Sequence, residues 1–262
     1  MAVLLDAPLT GTFTGFDAAQ AINTTVDPRG LVAPIPGRIE INTAPDGATA
    51  AMSCITPSDP LTYGGIRSEF DWTPEAAHAG GAAAERWYVW QVYFPQDLNP
   101  GEQISFMQIH DSPDGGESPV KYPNFEFMVQ NGVVFATVPL NVPSELTSTG
   151  RPLNGVRVPV VRGRWVTCAL HTNWASDVTG YLDAYFDGIR IGREWLRASG
   201  YTDAVGPYWK LGLYDFTHNG IATTYRAWYR NAKVYSTGHS EQEVLGAAPR
   251  SPAPRLLMRD LS

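Results

Sequence analysis

The sequence predicts an all-β chain folded as a two-sheet sandwich of jelly-roll type, and three observations carry that expectation. Short segments of alternating apolar and polar residues recur from end to end. Sustained helical periodicity is nearly absent. Strand formers and turn formers are both abundant: 11% of the residues are aromatic, with 8 tryptophans, and 25 glycines and 21 prolines punctuate the chain. At 262 residues the chain is long enough to bury a full core, and a sandwich of this size is commonly one domain. The expected organisation is a single domain over 1–245 and a Pro/Arg-rich tail over 246–262.

In chain order, strands are expected at GRIEIN (37–42), ATAAMSCI (48–55), IRSEFDW (66–72), RWYVWQVYF (86–94), QISFMQIH (103–110), NFEFMVQ (124–130), VVFATV (133–138), RWVTCALHTNW (164–174), GYLDAYF (180–186), IRIGREW (189–195), YWKLGLY (208–214) and TTYRAWYRNAKVY (223–235). Asn131-Gly132 and Asp187-Gly188 mark two hairpins, because these dipeptides accept the positive φ angles of two-residue loops. Helix is confined to short pieces. Ser240 and Glu243 form a capping box ahead of EVLGA, and residues 72–85 read as an ordered loop or a frayed turn. The tail ends on Leu256, Leu257, Met258 and Leu261, and is either flexible or a docking peptide for a protein partner.

Charge narrows the partners. The formal net charge of -7 argues against nucleic acid, whose phosphates select for basic surface. No stretch approaches the ~20 apolar residues of a membrane span, so no membrane partner is expected. The opening MAVLLDAPLTGTF lacks a basic n-region and carries too short an apolar run to read as a secretion signal. The expected place of work is nonetheless extracellular, with any signal removed, or on a phage-like particle. Cys54 and Cys168 have neither the number for a disulfide framework nor the spacing of a metal knuckle. They are two buried thiols or one bridge.

Side chains alternate across a strand with period two, so each strand sorts its residues into two faces. In IRSEFDW, Arg67, Glu69 and Asp71 lie together, opposite Ile66, Ser68, Phe70 and Trp72. In QISFMQIH, Gln108 and His110 share a face and continue the line of Ile104 and Phe106. In YWKLGLY, Tyr208, Lys210 and Tyr214 share a face around Gly212, and Trp209, Leu211 and Leu213 supply a core face. Asn124 and Glu126 add to these polar rows, as do Tyr225 and Tyr229. Polar rows on a sandwich commonly face solvent. These rows collect Arg, Gln, His and Tyr, which hydrogen-bond and exchange protons in grooves. Aromatic and amide side chains along a concave sheet suit a sugar chain.

RSEF (67–70), QIH (108–110) and YWKLGLY (208–214), in that order, resemble the three signature strands of the jelly-roll polysaccharide lyases. In the alginate lyases the pattern runs R-x-E-x-R, Q-I/V-H and Y-F-K-x-G-x-Y. RGRWVTCALHTNW followed by GYLDAYFDGIRIG is nearer to the heparin lyase I and glucuronan lyase-like group. The resemblance implies a concanavalin A-like sandwich with a concave glycan-binding groove, and cleavage of a uronic-acid-containing polysaccharide by β-elimination. The same resemblance assigns Arg67, Gln108 and His110 to neutralise the uronate carboxylate. Tyr214 would be the base and also the acid, with His110 as base for the opposite C5 configuration. An ordinary phenol titrates near 10, and Lys210 is the cation expected to make Tyr214 more acidic. Glu69 would orient Arg67, and Glu69, Lys210, Tyr208, Asn124 and Glu126 are the expected substrate-binding residues.

Asp71 stands where the alginate lyase pattern has its second arginine. The loop at 111–119 is acidic as well. A calcium ion on Asp111, Asp114 or Glu117 would offset that charge; a solvated loop is the other reading. No catalytic metal and no cofactor are required. The rival function is a non-catalytic glycan-binding module, for attachment to a capsule or cell surface as part of a phage-like particle. The acidity and the tail favour it.

Overall fold

The computed structural model describes residues 2–13, 15–17, 35–61, 65–72, 82–111, 122–140, 149–217 and 219–246. Its elements are β1 (Val3–Ala7), β2 (Phe16–Asp17), β3 (Ile39–Thr43), β4 (Thr49–Ile55), β5 (Arg67–Trp72), β6 (Ala84–Tyr93), β7 (Ile104–His110), β8 (Phe125–Gln130), β9 (Val133–Pro139), β10 (Gly150–Pro152), β11 (Val158–Pro159), β12 (Trp165–Trp174), β13 (Tyr181–Phe186), β14 (Ile189–Trp195), β15 (Tyr208–Asp215), β16 (Tyr225–Tyr235) and the helix α1 (Glu241–Gly246). All twelve predicted strands form. Of the four others, β2, β10 and β11 span two or three residues, too few for alternation to reveal, and β1 was not anticipated.

The strands make two antiparallel sheets. The first runs β14-β13-β12-β6-β16-β4-β3, with β1 on β16; the second runs β10-β9-β8-β7-β15-β5-β2, with β11 on β9. Their inner faces close on one aromatic core. Trp209 of β15 packs against Trp90 at 5.6 Å and Tyr88 at 5.3 Å from the opposite sheet, and Phe106 of β7 packs against Phe94 at 5.1 Å. Edge-to-face pairs of this kind add to the area they bury. Both hairpin dipeptides have positive φ throughout, Asn131 at 48° and Gly132 at 76°, Asp187 at 54° and Gly188 at 77°. The capping box closes as expected: Ser240 N donates to Glu243 Oε2 at 2.7 Å, and Glu243 N donates back to Ser240 Oγ at 3.3 Å. Cys54 and Cys168 are buried free thiols.

Two β-bulges break the second sheet's regularity, one in β7 between Ser105 and Met107 and one in β15 between Leu211 and Tyr214. In β7 the added residue puts two neighbours, Phe106 and Met107, on one face. Ile104 and Phe106 therefore point into the core together with Met107 and Ile109. They do not continue the line of Gln108 and His110, as strict alternation predicted. At the second bulge Gly212 has φ 144°, and a Cβ there would sit 2.1 Å from Ser68 O. Only glycine fits such a position.

Each bulge is filled by a hydroxyl reaching across the core from the first sheet. Ser53 Oγ of β4 donates to Ser68 O at 2.6 Å and accepts from Leu213 N at 3.0 Å. Tyr229 of β16 donates to Phe106 O at 3.2 Å. Tyr229 and Tyr225 both belong to the core cluster, which corrects the expectation that they extend the polar rows. β16 lies in the other sheet, and periodicity within one strand does not say to which sheet its face belongs.

Candidate active site

The three predicted polar rows come from neighbouring strands. β15 is flanked by β5 and β7, and β8 follows β7. Register sets the rows level with one another: Tyr214 opposite Arg67, Gly212 opposite Glu69 and Lys210 opposite Asp71 on one side, Lys210 opposite Gln108 and Tyr208 opposite His110 on the other. Glu126 faces Gln108 from β8. Arg67, Gln108, His110 and Tyr214 thus share one face of one sheet. Three of the four are buried, Arg67 at 8% exposed, Tyr214 at 5% and Gln108 at 1%, and His110 is half-buried.

At one end, the Arg67 guanidinium lies over the Tyr214 ring, 4.0 Å from its centroid. Gly212 leaves the next position along β15 without a side chain, and there Glu69 links the rows. Its Oε1 accepts from Gln108 Nε2 at 2.7 Å, and its Oε2 lies 3.7 Å from both Arg67 Nη1 and Lys210 Nζ. Glu69 thus touches Arg67 as expected, and also Gln108 and Lys210. At the other end, His110 Nδ1 is 2.6 Å from the carbonyl of Asp111. A carbonyl only accepts, so Nδ1 carries a proton, which in the neutral form of the ring leaves the lone pair on Nε2. The His110 ring is 5.9 Å from that of Tyr208.

Electrostatics modify the sequence expectations. Burial pushes the Tyr214 phenol up to about 12; Arg67 pulls it down, and Glu126 and Glu69 raise it further. The principal cation acting on Tyr214 is Arg67 rather than Lys210, which lies 5.2 Å from the Tyr208 ring instead. Burial disfavours the Lys210 ammonium, but Tyr208, Glu69 and Asp71 outweigh it and its pKa is raised. Asp71, which stands where the alginate lyase pattern has an arginine, has its charge met by Lys210 across the ladder. Burial also raises Glu126 to about 8, with Glu69 adding to the shift and hydrogen bonds from Tyr122, Thr137 and Ser105 opposing it.

Tyr122 and Thr137 were not anticipated. Tyr122 donates to Thr137 Oγ1 at 3.0 Å, and Thr137 donates to Glu126 Oε2 at 3.3 Å. Tyr122 precedes its strand, outside any periodic pattern. Asn124 donates to Asp111 Oδ2 at 2.8 Å and Ser199 O at 3.3 Å. Asp111 is thereby engaged with the protein, and Asp114 and Glu117, the other expected calcium ligands, lie outside the described residues. So do residues 73–81 of the expected loop and 247–262 of the tail. Among the described residues no group of three His, Cys, Asp or Glu is placed to hold a metal ion.

A family model described as polysaccharide lyase matches residues 9–233. The structure is similar to an endo-β-1,4-glucuronan lyase from the fungus Trichoderma reesei, with a TM-score of 0.63 and 21% identity over 93% of this chain and 98% of that one. It is similar also to a family 7 alginate lyase, with a TM-score of 0.56 and 15% identity over 79% and 86%. An alginate lyase from Pseudomonas aeruginosa gives 0.52 and 14% over 77% and 87%. At such identities the likeness is one of fold. No curated protein matches the sequence.

Proposed function

The chain belongs to the polysaccharide lyase family, and from that premise we propose that it cleaves a uronate-containing glycan by β-elimination, with a β-1,4-linked glucuronan as the first substrate to try. One observation carries the reading: the guanidinium over the Tyr214 phenol and the Gln108 amide are tied through a single carboxylate, Glu69, on a buried sheet face.

The C5 proton of a uronate is weakly acidic because its removal builds a second negative charge beside an ionised carboxylate. N–H donors aimed at that carboxylate lower the barrier, and Arg67 and Gln108 are the donors in this proposal. Neutral His110 takes the C5 proton at Nε2. The electron pair left behind forms the C4=C5 double bond and the C4–O4 bond breaks. Tyr214, fully protonated at neutral pH with a pKa near 12, hands its proton to the departing O4 and is reprotonated from the His110 imidazolium directly or through water. Lys210 and Tyr208 hold the neighbouring sugar, and Glu69 positions Arg67 and Gln108.

The test is to incubate the protein with β-1,4-glucuronan and with alginate, following ultraviolet absorbance of the unsaturated uronate and the polymer length. Absorbance rising as the chains shorten supports the reading. Polymer retained intact with no unsaturated product marks a binding module instead, and neither binding nor cleavage overturns both.

A further inference from the structure

We propose that the cavity where the edge strands of the two sheets meet is a second saccharide site, which holds one acidic pyranose unit of the polymer away from the reacting groove. It rests on the uronate reading above for its ligand.

β10 ends the second sheet and β14 ends the first. Backbone bonds tie the segment that follows β10 to β14: Arg193 N donates to Asn154 O and Val156 N to Ile191 O, both at 2.9 Å. Beside this seam is a cavity of about 340 Å³, within the size range of small-ligand sites. Arg151, Asn154, Arg193, Glu194, Trp195 and Arg197 line it. Arg151 and Arg197 share the Glu194 carboxylate there while Arg193 pairs with Asp183, which leaves one guanidinium in excess, in a chain whose net charge is -7. A local excess of positive charge on an acidic protein draws anions to that place.

The donors are held in position yet not exhausted. Glu194 takes two bonds from Arg151, at 2.5 and 2.8 Å, and one from Arg197 at 2.5 Å. Pro152 O and Ala198 O each take one more. A guanidinium has five N–H groups, so both arginines retain donors for a second carboxylate. Trp195 is 55% exposed, and its Nε1–H donates to Asp183 Oδ2 at 3.2 Å. The Tyr181 ring lies 5.3 Å away, and the Arg193 guanidinium is 5.0 Å from the indole centroid. Among the described residues Trp195 is the aromatic most open to solvent, and an indole held by its N–H offers a fixed apolar surface to a sugar ring. Half-exposed Leu140 lines the same cavity. Indole, guanidiniums and the Asn154 amide together match the apolar ring face, the carboxylate and the hydroxyls of a uronate.

The experiment uses the full chain carrying Tyr214→Phe, to suppress turnover, titrated with a β-1,4-linked glucuronate tetramer while tryptophan indole N–H signals are followed by NMR. Two equivalents should bind, one of them moving the Trp195 signal. By calorimetric stoichiometry Trp195→Ala should lose that equivalent alone and Trp195→Phe should retain part of it, and with Trp195 in place a neutral β-1,4-glucose tetramer should leave its signal unmoved. In the otherwise unaltered protein, Trp195→Ala should raise KM for long polymer several-fold at constant kcat. If glucuronan is cut but Trp195 never responds and KM does not change, this site falls and the lyase reading stands. If Trp195 binds the tetramer but no polymer is cut, the lyase reading falls and the site stands.

Discussion

The two sheets each carry a cluster of histidine, tyrosine, carboxylate and tryptophan or arginine, and the clusters differ in how their hydrogen bonds close. On the first sheet His171 stacks on Trp87 at 4.0 Å and 3°. Its Nε2 is 2.9 Å from Glu85 Oε1, and the Tyr181 hydroxyl is 3.0 Å from the same oxygen and 2.9 Å from Nε2. The triangle satisfies itself. On the second sheet Glu69 Oε2, Asn124 Oδ1 and Glu126 Oε1 are buried with no hydrogen-bond partner among the described residues. An unmet buried polar atom costs about 1–3 kcal/mol, and native proteins carry few of them. The lesson is that residue types alone do not mark a site. These two clusters of similar make-up differ in whether their polar atoms pair among themselves.

The strongest test of this contrast is Tyr214→Phe, which removes one hydroxyl. It should lower kcat on a uronate polymer by about 10²–10⁴-fold and leave the melting temperature nearly unchanged; a Tyr214→Phe protein that cuts at full rate breaks the assignment. Gln108→Ala removes a carboxylate donor and should lower kcat by about 10²-fold, measured by appearance of the double bond. Glu126 tests the open cluster through stability. Its folded pKa of about 8 lies above the ordinary carboxyl value, so its stabilising contribution is complete below the unfolded pKa and is lost as pH rises through about 8. Thermal melts of Glu126→Gln should fall less than wild type between acid and mildly alkaline pH, by roughly a few degrees. The smallest effect belongs to the closed triangle. His171→Phe should leave kcat unchanged and cost about 1 kcal/mol in denaturant unfolding; a large loss of activity would erase the distinction between the two clusters.

Much of this was legible in the sequence because period-two alternation is local. Arg67, Glu69 and Asp71 face one way and Phe70 the other, as Trp209, Leu211 and Leu213 face away from Lys210 and Tyr214. The hairpin dipeptides and the capping box are local too. What escaped was long-range. The Ser105–Met107 bulge redirects Ile104 and Phe106, and nothing in QISFMQIH marks it. Tyr225 and Tyr229 alternate correctly but belong to the other sheet. Glu69 could be read as an orienter of Arg67, whereas its bond to Gln108 depends on the pairing of β5, β15 and β7, which no single strand encodes. The preference of Tyr214 for Arg67 over Lys210 follows from cross-strand register in the same way.

The hydroxyls of Ser53 and Tyr229 serve as keys cut for two locks in the sheet that bears the candidate site. Because each key belongs to the opposite layer, the layers cannot slide past one another without withdrawing it. The curvature beneath Arg67 and Tyr214 is therefore governed from the far side of the molecule, and a family member could retune its groove by altering a small residue that no sugar ever meets.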